Sequence, residues 1–526
     1  MLIFIPMAGF GDRYIKAGFT EPKPLIPVDG KPMIERVVDT FRDPAERAAP
    51  AKRGGSTKFL FCINAKHAAE TSVRETLERL VPGAPTVVIE PHKDGPVRTL
   101  LDCAEHIPDD EEVILNYCDF GVDWSFPDFR AWLAENRWDG AMTAYKGFHP
   151  HSLGPTLYAY MRSDGDRVTE IREKHHFTED KFSEYASSGL YYFRSGAELK
   201  RLARELVEKG ERVNGEFYVS MLMQLLIERG GKVGVYPLRH FYQWGTPEDL
   251  RDFESWLRGL RRFGSFGAEA SKETSEAVQV IPMAGRGQRF VDQGYADPKP
   301  LIPVAGKAMI VRALECLPTP ASRVLVVQRE HQKSERFREA AASLGGRIVA
   351  LDAVTQGQAC TAKVGLEGID PEVPVLFAPC DTGYVYDVAA LRKLEAAGYD
   401  AIAWTARGHL PALWRPQMYG WVQVSNGRVV KTAVKKQVAG VPPAEQEVIT
   451  GTFWFRDVAT FLREEQAMEA ANDRVNGEFY IDTIVKRMVE QGAKVAAFTV
   501  DKYIPWGTPE ELRTFDYYSE VVELFS

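Results

Sequence analysis

Long apolar runs, paired cysteines and an excess of basic residues are all missing from this 526-residue sequence. No stretch approaches the roughly 20 apolar residues that a membrane-spanning helix needs. The six cysteines form no CxxC pair, which argues against a zinc site and is typical of buried thiols in a reducing compartment. The formal net charge of −8 argues against general nucleic-acid binding, since phosphate backbones call for basic surfaces.

The N-terminus is apolar only over residues 2–7 and has no basic segment before it. This pattern indicates a first strand rather than a signal peptide. We therefore expect a soluble, cytoplasmic protein with no membrane or nucleic-acid partner. With 45% hydrophobic and 26% charged residues, the chain can bury an ordinary core.

The sequence contains nearly the same text twice. Residues 5–34 read IPMAGFGDRYIKAGFTEPKPLIPVDGKPMI, and residues 281–310 read IPMAGRGQRFVDQGYADPKPLIPVAGKAMI, 276 positions later. Later landmarks, such as Asp119 and Asp381, lie only 262 positions apart. The second copy has therefore lost 14 residues, and the polar stretch 42–57 of the first copy is the expected extra loop.

The duplication predicts two domains of similar size. We expect a first domain over residues 1–262, a linker over residues 263–276 and a second domain over residues 277–526. The segment 263–276 reads FGSFGAEASKETSE, which is small, polar and glycine-containing, as linkers are. Domains of roughly 250 residues lie at the upper end of the usual size for one α/β domain.

Short apolar runs alternate with amphipathic segments in both copies. This alternation predicts an α/β fold of two tandem Rossmann-like domains, each a mostly parallel sheet with helices on both faces. In such sheets, ligands bind beyond the carboxyl ends of the strands. The apolar runs are residues 2–5, 58–63, 86–89 and 113–115 in the first copy and 278–281, 324–327 and 375–377 in the second, and helical patterns occupy 33–41 and 68–80.

Glycines and an arginine follow the first predicted strand of each copy. Residues 9–13 read GFGDR and residues 285–289 read GRGQR. Glycine lets backbone N–H groups approach an anion closely, and arginine adds a planar fork of donors suited to phosphate. Lys23 and Lys299 follow, each between two prolines that restrict the backbone around it. A single such loop could be a tight turn with two solvated cations, but its repetition favours a phosphate-binding loop.

An aspartate follows a buried strand in each copy, namely Asp119 and Asp381. Mg²⁺ favours one or two carboxylates together with phosphates and waters, so a single aspartate at a strand end is a suitable anchor. The alternative is an aspartate that only caps the following turn.

The string GxGxR followed by PKPLIPVxGK resembles the signature of the sugar-phosphate nucleotidylyltransferase family. The resemblance covers both halves of the chain nearly end to end. The resemblance implies two tandem Rossmann-like (GT-A-like) nucleotidyltransferase domains. It implies that a phosphorylated small-molecule acceptor attacks the α-phosphorus of an NTP and releases pyrophosphate, with Mg²⁺ as the cofactor. It also implies that Arg13, Lys23, Arg289 and Lys299 hold the triphosphate and that Asp119 and Asp381 bind the metal.

The resemblance assigns further residues in both copies. Lys174 and Lys436 are implied to meet the acceptor phosphate, although Glu173 before Lys174 has become Lys435 in the second copy. The implied nucleotide-binding residues are Ala8, Gly9, Gly11, Gly95, Ala284, Gly285, Gly287, Gln356 and Gly357. The implied acceptor-binding residues are Gly189, Asn214, Glu216, Gly451, Asn476 and Glu478.

The chain departs from the family pattern in two places. Gln243 and Pro505 stand where many members carry a second metal-binding aspartate, so either another acid completes the site or one protein carboxylate holds the metal. Gln356 resembles the glutamine with which the family reads the nucleobase, but the first copy has Asp94 there. Either the two halves read different bases or one has degenerated.

These observations predict a nucleotidylyltransferase that transfers NMP to a sugar 1-phosphate or related phosphate. The strings QWGTPEDL and VNGEFY resemble a branch associated with capsule and surface-polysaccharide synthesis, including cytidylyltransferases that act on non-sugar phosphates. Two alternatives stay open. One half could be catalytic while the other is a nucleotide or nucleotide-sugar binding or regulatory module. An NDP-sugar glycosyltransferase would typically show Asp-x-Asp where residues 118–120 read CDF, and has no use for GxGxR with PKP.

Overall fold

The computed structural model describes residues 1–42 and 57–525. The chain divides into two units, Met1–Glu254 and Ser255–Ser526. The extra loop predicted for residues 42–57 lies outside the described residues except for its two end positions. Among the described helices, none is both long enough and apolar enough to cross a bilayer. All six cysteines are described, and each is a free thiol.

The first unit is built on one sheet, which has nine strands in its described part. The strands of this sheet that precede residue 117 are parallel to one another, whereas Tyr185–Phe193 is antiparallel to both strands beside it in the sheet order. The sheet is therefore mixed. In spatial order the strands are Thr86–Ile89, Lys58–Asn64, Leu2–Met7, Val113–Asn116, Tyr185–Phe193, Gly140–Tyr145, Val233–Pro237, Arg167–Arg172 and Tyr160–Asp164.

Alternate residues of the first strand enter two separate cores, because successive side chains of a strand point to opposite faces. Leu2 and Phe4 pack with Leu202 and Met223, whereas Ile3 and its neighbours pack with the helices on the other face. Helices therefore cover both faces of the sheet, as predicted. The helices within this unit are Asp12–Lys16, Met33–Asp39, Ala65–Glu70, Val73–Leu80, Pro96–Asp102, Phe126–Asn136, Gly196–Lys209 and Val219–Glu228, and the helix Pro247–Ala270 begins in it. Short strand pairs are formed by Pro27–Val28 with Lys31–Pro32 and by Phe120–Asp123 with His240–Gln243.

The second unit repeats this architecture, again with nine strands in the described part of its main sheet. Their order is Arg347–Leu351, Thr319–Gln328, Thr274–Met283, Val375–Phe377, Gln446–Phe455, Ala401–Arg407, Val495–Thr499, Arg428–Val434 and Gly420–Ser425. The helices are Gln288–Asp292, Met309–Glu315, Glu335–Leu344, Gln358–Gly365, Val388–Glu395, Leu410–Trp414, Val458–Ala470, Ile481–Glu490 and Pro509–Leu524. The short strand pairs are Pro303–Val304 with Lys307–Ala308, and Thr382–Val385 with Lys502–Pro505.

The α/β class and the tandem arrangement are confirmed, but the linker prediction is wrong. Residues 263–270 continue the helix Pro247–Ala270, and a strand begins at Thr274. The reason is an apolar helical face that the small polar neighbours concealed. Phe263, Phe266 and Ala270 recur at helical spacing and are all buried. Burying two aromatic rings stabilises the helix far more than the neighbouring glycines destabilise it.

Candidate active site

A pocket of about 580 Å³ opens beyond the carboxyl ends of the parallel strands in the first unit. This is the edge at which ligands bind in sheets of this kind. Asn214 is not among its lining residues in the part of the chain that the structure describes. All the other residues predicted for the first copy do line it, namely Ala8, Gly9, Gly11, Arg13, Lys23, Gly95, Asp119, Lys174, Gly189 and Glu216.

The glycine loop turns sharply from the first strand into a short helix. Gly11 has φ of 70° and Gly287 has φ of 63°, which is the left-handed region that glycine adopts without steric cost. The helix that follows carries the predicted arginine, and both Arg13 and Arg289 are exposed. The first loop is tied down by the hydroxyl of Tyr14, which donates to the carbonyl oxygen of Trp244 at 2.5 Å.

The predicted lysine and the predicted metal-binding aspartate form an ion pair in each unit. Lys23 Nζ lies 2.5 Å from Asp119 Oδ2, and Lys299 pairs with Asp381 in the same way. Both lysine side chains are only 21% exposed. Burial disfavours the charged form of Lys299, but the attraction and hydrogen bond of Asp381, together with Cys380 and Glu511, outweigh it and raise the lysine pKa. Each unit thus pairs a lysine with a carboxylate, and in the first unit both line the pocket.

A second acid, at the third position of the helix Pro247–Ala270, lines the same pocket as this pair. Asp249 lines the pocket, and Gln243 Nε2 and Thr246 Oγ1 each donate to it at 2.7 Å. Burial raises the pKa of Asp249 to about 6. Gln243 therefore does not replace the missing aspartate directly; it orients a different carboxylate. The motif TPED could have indicated this carboxylate, because its aspartate lies three residues after the threonine that caps the helix.

Glu511 takes the same place in the second unit. Burial and the nearby charge of Asp381 both raise the pKa of Glu511. A Cβ added at Gly507 would stand 3.1 Å from Asp381 Oδ2 and 3.2 Å from Glu511 Oε2, so both carboxylates converge on one open space. Hard carboxylate oxygens around an open space are what Mg²⁺ requires. The residues present therefore fit a magnesium ion.

Lys435, and not the predicted Lys436, is the residue of the second unit that shares the backbone and ring contact of Lys174. Lys174 has φ of 55° and its ammonium lies 4.5 Å from the centre of the Tyr218 ring. Lys435 repeats both features, with φ of 56° and a distance of 5.0 Å to the Tyr480 ring. Lys436 is exposed. The cause is one extra residue after the hairpin of the second unit. Hairpin residues of the second unit lie 261 positions after their counterparts in the first, whereas Tyr480 lies 262 positions after Tyr218.

The predicted base-reading loops differ in their polar side chains but share a backbone position. Gly95 and Gly357 both have positive φ, and a Cβ at either would collide with the backbone of Phe217 or Phe479. Asp94 is 2.5 Å from Arg212, whereas Gln356 accepts a hydrogen bond from Arg474. The first loop thus presents an ion-paired carboxylate, and the second a neutral amide.

The predicted acceptor residues occupy two kinds of strained backbone. Gly189 and Gly451 have φ of 101° and 92° inside a long strand, and a Cβ at Gly189 would lie 2.9 Å from the Tyr117 ring. Asn214 and Asn476 both have φ of 50° in a tight turn. Their side-chain role stays a prediction. The glutamates that follow them, Glu216 and Glu478, bond to the hydroxyls of Tyr218 and Tyr480 and help to raise the pKa of each tyrosine, after burial.

A glycine loop beside a lysine–aspartate pair, at the carboxyl edge of an α/β sheet, is an arrangement suited to a transferase that handles nucleotides, and each unit has it. Residues 5–254 match the family model described as nucleotidyl transferase, and residues 279–438 match that of the MobA-like NTP transferase domain. The chain therefore belongs to the nucleotidyl transferases, with two such domains in tandem.

The relatives are similar over one such domain. The bifunctional protein GlmU of Bacillus cytotoxicus is 26% identical over 234 residues, which cover 44% of this chain and 48% of GlmU. GlmU of Bacillus mycoides is 27% identical over 234 residues, with the same coverage. A solved nucleoside-diphosphate-sugar pyrophosphorylase of Vibrio cholerae RC9 is 24% identical, covering 48% of this chain and 98% of its own, with a TM-score of 0.39. The chain spans about half the length of the curated relatives it matches.

Proposed function

We propose that each half is a nucleotidylyltransferase that transfers NMP from an NTP to a phosphorylated acceptor and releases pyrophosphate. The observation that carries this proposal is the repeated pair, Lys23 with Asp119 and Lys299 with Asp381, beside a glycine loop in each unit. Such transfer depends on positioning and on neutralising charge, so cations beside a metal-binding carboxylate suit it. We further propose that the protein works in the cytoplasm.

In this reaction a phosphate oxygen of the acceptor attacks the α-phosphorus, and the bond from that phosphorus to the pyrophosphate oxygen breaks. Arg13 and Lys23 neutralise the charge that develops on the departing pyrophosphate, and Lys174 holds the phosphate of the acceptor. The backbone N–H groups of the loop between Gly9 and Gly11 cradle the triphosphate. In the second half, the same roles fall to Arg289, Lys299 and Lys435.

Magnesium would be held by Asp119 and Asp249 in the first half and by Asp381 and Glu511 in the second. When bound, the metal neutralises phosphate oxygens and orients the triphosphate. The convergence of two carboxylates on the space beside Gly507 supports this assignment. Removing Mg²⁺ with a chelator should abolish turnover, and Mn²⁺ should restore it.

The decisive experiment measures pyrophosphate release with Mg²⁺, crossing five NTPs with phosphorylated sugars and non-sugar phosphates. Acceptor-dependent release with one NTP is the expected result. Lys23→Ala and Lys299→Ala should each lower turnover of their own half by about 10² or more. Lys16→Ala is the matched control because Lys16 is an exposed lysine of the first loop helix. Full activity in the double variant K23A/K299A would refute the mechanism.

We propose that the two halves differ in base preference, because an ion-paired Asp94 and a neutral Gln356 offer a base different hydrogen-bonding groups. We also propose a role in surface-polysaccharide synthesis, which is supported by the resemblance of the QWGTPEDL and VNGEFY strings. Each single-lysine variant, assayed against the five NTPs, reads the preference of the half left intact. Identical preferences in both variants would contradict the first of these proposals.

A further inference from the structure

The acid beside the acceptor lysine is not lost in the second unit; it comes from a different element. In the first unit, Glu173 lines the pocket directly before Lys174, and Ser220 Oγ donates to its carboxylate at 2.5 Å. Ser220 is the second residue of the helix Val219–Glu228. The hairpin offset places Val434 at the position of Glu173, so the strand of the second unit carries no acid there.

Asp482 occupies the second position of the helix Ile481–Glu490 and is thus the counterpart of Ser220. Its carboxylate interacts electrostatically with Lys435, which opposes the rise in the aspartate pKa that burial causes. A serine on the helix has become an acid while an acid on the strand has become valine. The charge next to the acceptor lysine is therefore kept, although the element that supplies it has changed.

A third position fixes where the Asp482 carboxylate lies. Gly420 pairs with Ile449 and with Val434, so it corresponds in register to Ala159 of the first unit. A Cβ added at Gly420 would overlap Asp482 Oδ1. Gly420 is not one of the glycines with a positive φ, so its backbone conformation does not demand glycine. The glycine instead makes room for the carboxylate.

Ala159 is one of the residues that line the first pocket. The Asp482 carboxylate consequently stands where a pocket-lining group stands in the first unit, and it approaches from the helix rather than from the strand. We infer that Asp482 is the acceptor-binding acid of the second domain and accepts hydrogen bonds from hydroxyl groups of a phosphorylated polyol whose phosphate is held by Lys435. This inference rests on the proposed function, because that function makes the lysine an acceptor site.

The first test isolates the second site with Lys174→Ala and measures binding by calorimetry, with glucose 1-phosphate and inorganic phosphate as probes. Adding Asp482→Asn should weaken glucose 1-phosphate about tenfold or more, because hydrogen bonds to a charged acceptor are lost. Inorganic phosphate, which has no polyol, should bind within about twofold of the parent or tighter. Glu490→Gln, on the exposed end of the same helix, should change neither value.

Equal weakening of both probes would overturn the inference, because Asp482 would then only orient Lys435. No preference of the K174A parent for glucose 1-phosphate over inorganic phosphate would overturn it as well. These binding results do not depend on turnover, so loss of pyrophosphate release with binding intact would refute the proposed function alone.

The second test moves the acid back to the strand. The triple variant G420A/V434E/D482S gives the second unit the first unit's residues at all three positions. It should bind glucose 1-phosphate within about threefold of the K174A parent, with an unchanged melting temperature. Binding as weak as that of the D482N variant, in a chain that melts normally, would refute the exchange of one acid for the other.

Discussion

A methyl group added beside the paired carboxylates should affect the two halves differently. At Gly507, a Cβ would stand 3.1 Å from Asp381 Oδ2 and 3.2 Å from Glu511 Oε2, so both carboxylates must shift by a few tenths of an ångström. At Gly245, the equivalent Cβ meets Asp119 Oδ2 at an ordinary 3.5 Å. Misplacement by about 1 Å costs on the order of 10²-fold in rate, so Gly507→Ala should cost roughly tenfold and Gly245→Ala less than about twofold.

The assay is pyrophosphate release as a function of Mg²⁺ concentration. Gly507→Ala is measured in the K23A background, where the second half alone turns over, and Gly245→Ala in the K299A background. The first variant should require more Mg²⁺, whereas the second should not. Equal Mg²⁺ requirements in both variants would refute the idea that the acids at 381 and 511 share one cation, and so would a normal rate in the Gly507→Ala variant.

Three further predictions follow from the geometry. Lys435→Ala should weaken acceptor binding to the second half by about tenfold, whereas Lys436→Ala should leave it unchanged; the reverse order would restore the original assignment. Gly95→Ala, with φ of 93° and a Cβ 2.8 Å from the Phe217 oxygen, should lower NTP affinity of the first half by about tenfold or more, measured by calorimetry in the K299A background. Burial lowers the pKa of His149 and of His409 to about 3. Because the unfolded chain binds more protons below pH 6.5, each histidine should reduce the free energy of unfolding by up to about 1.4 kcal/mol per pH unit below that value. Urea unfolding at pH 7.5 and 5.5 checks this, and equal midpoints would contradict it.

Sequence alone predicted the features that depend on local pattern. Thr86–Ile89, which is half-buried, and Val375–Phe377, which is fully buried, both have the bounds that their apolar runs indicated. The prolines around Lys23 and Lys299 likewise place each lysine at the start of a short 3-10 turn. The predicted lysine and aspartate then meet because both lie at one edge of the sheet.

What the sequence could not give depends on register and on contacts between distant segments. A sequence motif cannot tell the adjacent lysines Lys435 and Lys436 apart. Only the backbone φ and the contact with the Tyr480 ring distinguish them. The acid at position 482 lies 47 residues after Lys435, on another element, so no short pattern links the two. Asp249 is visible in the sequence only as an acid three residues after Thr246, but its place in the same pocket as Asp119 requires the fold.

The alternative in which the second half has lost its chemistry does not account for the three exchanged positions near its acceptor lysine. A buried carboxylate costs free energy unless a cation or donors compensate it. A half that had merely decayed could drop that cost by carrying serine at position 482, as the first half does at 220. It carries aspartate instead, next to Lys435 and over a glycine that makes the room. The carboxylate of Asp482, the nearby Lys435 and the space left by Gly420 are consistent with one another. This consistency favours two working sites whose acceptor-binding acids come from different elements.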